Sequence, residues 1–258
     1  MLAGATPGCD LPIEANPTAG PAVLASDPAD GDPDVERSGA YTVWFDRPIL
    51  PRDVHRGRVM VASGGRGVFL SPVFDPVERS LHLVNLGSPL DPEVRYRLRV
   101  SGIRDLDGFV MAEPYEIAFD TGTAIQETAP AAVAYADVEP ILATCAAEGC
   151  HRPPDAVLGL DLSSPAGIRD TAINVLAEQT RVGTQSGALY RSVTGLRGLA
   201  RLDVTGGVGR PSRSYLLYKV IGDPHVVGDR MPPGPAPALD AAALSLLSRW
   251  IFQGASTD

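Results

Sequence analysis

The chain has 258 residues, 44% of them hydrophobic and 21% charged, which is room for two ordinary domains of a globular protein. A net charge of −9, from 22 Lys and Arg against 31 Asp and Glu, argues against nucleic acid, whose phosphates need many cations. No run approaches the roughly eighteen apolar residues of a membrane span, and 24 prolines with 27 glycines favour strands and turns over a helical bundle.

Residues 1–20 are small, proline-bearing and aperiodic, which reads as a flexible tether. "MLAGATPGCD" has neither the basic start nor the apolar run of a secretory signal. Cys9 stands alone there. It is either the lipid-anchored cysteine of an exported lipoprotein or a free thiol; of Thr6, Pro7 and Gly8 before it, only the glycine suits a lipobox.

From 21 to 124 the hydrophobic period is two. "YTVWF" (41–45) alternates, and in "VRYRLRVSG" (94–102) Tyr96, Leu98 and Val100 face one way while Arg95, Arg97 and Arg99 face the other. Such strands are half-buried and antiparallel. Turn clusters at 27–34, 63–65, 74–76 and 105–108 separate them, so a β-sandwich is expected. The arginine row is a solvated strand face or a polyanion-binding strip. Asp105 and Asp107 are turn residues or calcium ligands, although their spacing is not that of a calcium loop.

A linker is expected at 125–136, within "AIQETAPAAVAY" (124–135), and a helical period follows over 137–258. "DVEPILATC" (137–145) offers Asp137 as N-cap, and "SPAGIRDTAINVLAEQ" (164–179) offers Ser164 with Pro165 at the first helical position. "SRSYLLYKVIG" (212–222) runs from Ser212 to Gly222. In "LDAAALSLLSRWIFQG" (239–254) Asp240 caps, Ala243, Leu246, Leu247, Trp250 and Ile251 form one stripe, and Gly254 terminates. Four short helices with long connections leave a thin core, so something else is expected to fill it.

"ILATCAAEGCHRPPD" (141–155) holds Cys145, Cys150 and His151 as C-x-x-x-x-C-H. The haem-attachment signature is C-x-x-C-H. Two thiols form thioether bonds to the vinyl groups, and the histidine directly after the second thiol binds iron. Cys150–His151 keeps that adjacency, and Gly149 helps the longer loop to turn. The alternative is a Cys145–Cys150 disulfide, which would leave His151 without a role. "GDRMPPGP" (228–235) places Met231 on a proline-stiffened loop, a suitable second axial ligand, with His225 as its competitor.

Two resemblances follow from these strings. "SDPADGDPDV" (26–35), "VWFDRPI" (43–49), "PLDPEVRYRLRVSGIRDLDG" (89–108) and "IAFDTG" (117–122) resemble a bacterial Ig-like domain of surface-layer and exported proteins, which implies a spacer or adhesion module. "VEPILATCAAEGCH", "GLDLSS" (159–164), "RPSRSYLLYKVIG" (210–222), "DRMPPG" (229–234) and "LSRWIFQGA" (247–255) resemble the cytochrome c domain of large exported bacterial proteins and lipoproteins. That resemblance implies an all-α cytochrome c-like domain over 137–258 with one covalent haem c. Cys145 and Cys150 would hold it, His151 and Met231 would be the axial ligands, and Trp250 would pack beside it. The spacing of four departs from the family pattern, and 181–200 reads as an insertion or degenerate segment.

The expectation is therefore a two-domain protein, an Ig-like sandwich and a haem domain, in the periplasm or on the cell surface. It would pass electrons to a redox partner protein and catalyse nothing, because a six-coordinate iron has no open position. A haem-free adhesion protein and a haem-based ligand sensor or peroxidase-like enzyme are the alternatives.

Overall fold

The structure, a computed structural model, describes residues 19–39, 41–85, 87–125, 131–181 and 194–258. Cys9, nearly all of the tether, part of the linker and residues 182–193 lie outside the described residues. The chain divides into two compact units after residue 126, with the stretch 73–77 counted in the second.

The first unit is built of strands β1 (Val23–Asp27), β2 (Tyr41–Phe45), β3 (Val59–Ser63), β4 (Arg66–Gly67), β5 (Leu70–Asp75), β6 (Ser80–Asn85), β7 (Arg95–Val100) and β8 (Tyr115–Asp120). They form two four-stranded sheets, in the orders β1-β2-β6-β5 and β4-β3-β7-β8. Alternation sets the register. Val43 lies opposite Leu81 between β2 and β6, and Leu98 opposite Ile117 between β7 and β8, and all four are buried. The Tyr41 and Phe119 rings, one from each sheet, approach to 5.6 Å, so the inner faces share one core.

The outer face of β7 is a solvated one. Arg95 pairs with Asp120 at 2.9 Å and Arg99 with Glu116 at 3.0 Å, both across to β8, so two of the three arginines already have anionic partners. Asp105 is a turn residue: its Oδ1 accepts from the N–H groups of Asp107, Gly108 and Phe109 at 3.1, 2.9 and 2.9 Å. Below the sheets, Arg104 donates from Nη2 to Asp53 Oδ1 at 2.6 Å and from Nε to Oδ2 at 2.9 Å. The Asp53 side chain is only 3% exposed.

The second unit corrects the all-α expectation. Its helices are α1 (Tyr135–Ala143), α2 (Pro165–Thr171), α3 (Tyr215–Ile221) and α4 (Ala241–Phe252), of 9, 7, 7 and 12 residues. The described residues between them are single turns, isolated bridges and a ribbon of β9 (Val204–Thr205) against β10 (Val208–Gly209). The 164–179 helix shows why. It stops at Thr171, and Asn174 takes a left-handed φ of +57°, which asparagine tolerates better than most side chains. Its backbone N–H then donates to Leu202 at 2.7 Å and its side chain exchanges bonds with Val204 at 2.7 and 2.8 Å. Tertiary bridging replaces two helical turns. Of the segment 181–200, the described part packs into this unit, with Leu196 and Leu199 buried and Ala200 bridging Leu176 and Ser214.

The caps are mixed. Ser164 and Asp240 accept from the N–H groups of Gly167 and Ala243 at 3.0 and 2.8 Å, as expected. Asp137 sits one turn inside α1 instead, where its carboxylate accepts from Ala134 N–H at 2.9 Å. Ser212 lies in the turn before α3, and Ser214 precedes that helix. Ribbon and terminal helix meet closely at Gly209, where a Cβ would fall 1.4 Å from the carbonyl oxygen of Ile251. Val138, Leu142, Ile168, Leu217, Leu247, Trp250 and Ile251 form the core of this unit.

Candidate functional site

The cysteine segment begins where α1 runs out of helix. Cys145 N–H donates to Leu142 at 3.0 Å, Gly149 takes a φ of +74°, and Cys150 N–H donates to Ala147 at 3.0 Å. His151 N–H then reaches back to the Cys145 carbonyl at 3.1 Å, closing the loop between the two cysteines. The His151 carbonyl in turn accepts from Leu162 at 2.9 Å. Four intervening residues thus bring the second cysteine and the histidine back onto the first.

Cys145 and Cys150 are free thiols in this structure, the first buried and the second partly exposed. Burial pushes the Cys145 thiol up, a hydrogen bond shared with the Thr144 hydroxyl opposes it, and the neighbouring Cys150 adds to the rise. Cys145 therefore stays protonated at neutral pH.

Cys145, His151 and Met231 line one cleft. The cleft has a cavity volume of about 100 Å³. Its walls are mostly apolar, with Leu142 from α1, Leu160 and Leu162 after the histidine, Leu216 and Val220 from α3, and Leu247 from α4. Val157 and Leu158 line it too, yet stand 44% and 40% exposed, which marks the mouth. His151 Nδ1 is buried without a hydrogen-bond partner. Burial pulls this imidazole below its ordinary pKa, the carbonyls of Leu160 and Val157 oppose that, and the charges of Arg201 and Lys219 reinforce it. The ring is neutral at pH 7, the form in which imidazole is a ligand.

Two cations on the lining were not singled out from the sequence. Arg201 donates to the carbonyls of Gly159 and Thr171 at 2.8 and 2.7 Å, and also to that of Leu158. It stitches the wall that follows His151. Lys219, on α3, holds the Met231 side of the cleft. Only the unusual position of a lysine within the apolar helix "YLLYKVI" could have drawn attention to it.

The remaining expected residues sit elsewhere. Trp250 belongs to the core, 1% exposed, with its indole N–H on the Ser256 carbonyl at 2.8 Å; Leu247, three residues before it, faces the cleft. Cys150 adjoins the cleft but is not part of its lining. His225 also lies off the lining, its Nδ1 on Asp223 Oδ1 at 2.7 Å. Replacing it should therefore leave the cleft alone: His225→Ala is expected to keep hydrogen exchange at the amides of His151 and Leu162 at the parent's rates.

Residues 17–121 match the family model of the bacterial Ig-like domain. Comparison with curated proteins returns no match. Among solved structures, the N-terminal part of the bacterial S-layer protein SbsC is 16% identical over 44% of this chain and 25% of that one, with a TM-score of 0.31. PcoC, a methionine-rich copper resistance protein from Escherichia coli, is 15% identical over 42% and 100%, with a TM-score of 0.33. CopC from Methylosinus trichosporium OB3b is 16% identical over 42% and 97%, with a TM-score of 0.29. The chain spans about a quarter of the S-layer fragment's length.

Two expectations are corrected by these findings. The family match covers the Ig-like segment, and nothing supports membership of a cytochrome c family for 137–258. The expectation of a metal site is corrected only this far: among the described residues no group of three or more His, Cys, Asp or Glu could hold a metal ion, calcium at Asp105 and Asp107 included. No helix of the described residues is long and apolar enough to cross a membrane.

Proposed function

We propose that this protein is an exported electron carrier that holds one covalently attached haem in the cleft of its C-terminal unit, with the Ig-like unit as a spacer. The observation that carries the reading is the convergence of Cys145, His151 and Met231, spread over 87 positions of sequence, on one apolar cleft. A haem asks for less than a protein-ligated ion does, because the porphyrin supplies four of the ligands and the chain needs only two. The residues fit that demand. A neutral imidazole with an unpartnered buried nitrogen and a thioether share the lining, and two free thiols stand beside them.

A haem so held supplies one-electron transfer. The chain's own work is to position and shield. Cys145 and Cys150 would hold the group covalently, and His151 and Met231 would be the side chains that ligate it. The leucines around them exclude water and favour a raised reduction potential. Val157 and Leu158 keep one side of the cleft at the surface, within reach of a redox partner. Held by both His151 and Met231, such a group would offer no position to a substrate, which favours a carrier over a catalyst. Thioether attachment takes place on the exported side of the bacterial membrane, so the periplasm or cell surface is the compartment proposed, with lipidation of Cys9 as an anchor.

Met231→Ala tests the ligand set. The variant should bind carbon monoxide at the reduced iron while the parent does not, read from the absorption change on adding the gas. A parent that binds it as fast would move the reading to a haem-based sensor or peroxidase-like enzyme.

A further inference from the structure

We infer that Lys219 is the positioning residue for Met231, its buried ammonium clamping the loop that carries the methionine to the cleft. The inference rests on the haem reading only for its consequence at iron; the clamp itself is a property of the chain. Lys219 lies within α3, 7% exposed, in a run buried from Tyr215 to Val220. Its Nζ donates to the carbonyl of Val227 at 2.8 Å and to that of Asp229. Its own carbonyl accepts from Met231 N–H at 2.8 Å. One residue therefore holds the loop at three points, two through the side chain and one through the backbone. Tyr215, one helical turn earlier, adds a fourth by accepting from Val227 N–H at 2.9 Å.

An apolar side chain would fill this helix face at lower desolvation cost, since burying an ammonium is unfavourable unless every proton finds an acceptor. What the charge adds is a fixed path for residues 227–231. Hydrogen bonds to a charged donor are stronger than neutral ones, and removing the donor leaves two inward carbonyls unpaired. The backbone bond from Met231 alone would not keep the loop closed, because the residues before it would then be released.

The test uses the full chain made without haem, as the parent, Lys219→Met and Lys219→Arg, exposed to dilute hydrogen peroxide. Sulfoxide formation at each methionine is followed by peptide mass spectrometry. Met60, 47% exposed, and Met111, 7% exposed, are internal references for fast and slow oxidation. In the parent and in Lys219→Arg, Met231 should oxidise well below the Met60 rate. In Lys219→Met it should oxidise about tenfold faster than in the parent, the opening expected when two charge-assisted bonds are lost, with Met111 unchanged. An unchanged Met231 rate in a folded Lys219→Met protein overturns the clamp. If that variant does not fold, Lys219→Gln takes its place and must give an intermediate rate; equality with the parent overturns the proposal, as does failure of both to fold. In haem-loaded protein Lys219→Met should keep the attached haem and lose the charge-transfer band between methionine sulfur and ferric iron. A parent without haem would instead sink the haem reading and leave the oxidation result standing.

Discussion

Protein matured in a host that exports and attaches haem should carry one haem per chain, and the double substitution Cys145→Ser, Cys150→Ser should carry none. Intact mass of the denatured protein reads the difference directly, since thioether-bound pigment survives denaturation. The expectation rests on the loop that His151 closes onto Cys145, which puts that thiol and the imidazole on the lining of one apolar cleft with Cys150 directly before the histidine. Either single substitution should leave one thioether, so haem stays attached in reduced yield. A parent mass equal to the bare chain less two hydrogens would mean a disulfide, and would favour a haem-free adhesion protein. A bare mass with both thiols free would argue against haem as well, leaving the cleft to a non-covalent apolar ligand.

The second large effect belongs to the Ig-like unit. Arg104→Met should cost about 3–5 kcal/mol, because it leaves the Asp53 carboxylate buried without its cation. The reverse change, Asp53→Asn, should cost less, since Arg104 is 31% exposed against 3% for Asp53 and can turn towards water. Hydrogen exchange at the amides of Tyr96 and Leu98, in the central strand β7, measures both. The pH dependence has a definite sign. Burial pushes the Asp53 carboxyl up, but its bonds and attraction to Arg104 outweigh that and hold it below the ordinary value. A depressed carboxyl stabilises the fold above its unfolded pKa of about 3.9, and that contribution fades as pH falls through the folded value. In Arg104→Met the guanidinium's bonds and attraction are lost, and burial is opposed only by the residue-104 backbone N–H and by Arg58, so the carboxyl stands higher than in the parent and acid penalises the variant less. The gap between them should narrow from pH 7 towards pH 3. A gap independent of pH would mean that Arg104 contributes through packing and not through its charge.

Much of this was legible in the order of residues. Strict alternation over 95–100 determined which side of β7 meets the core, because a strand's side chains can only alternate. Asp240 and the leucine stripe behind it determined α4 in the same local way. The adjacency of Cys150 and His151 also needs no fold to be read, since it is a constraint within two residues. Other features depended on partners distant in sequence. The helix expected over 164–179 lost its second half because Asn174 gains more from Leu202 and Val204 than from another helical turn. Periodicity carries no term for such a competitor, and an all-α reading followed from its absence. Trp250 lies on the stripe of α4, yet the rotation of that helix in the core turned Leu247 to the cleft and the indole to Ser256. Lys219 could be read only as a charge in an apolar helix until the loop 227–231 returned over it with two carbonyls. Local chemistry, a cap, a pleat or a cysteine beside a histidine, was determined by the sequence itself. Which side chains share a cavity was decided by packing, because burial and hydrogen-bond satisfaction depend on every segment that reaches the same place.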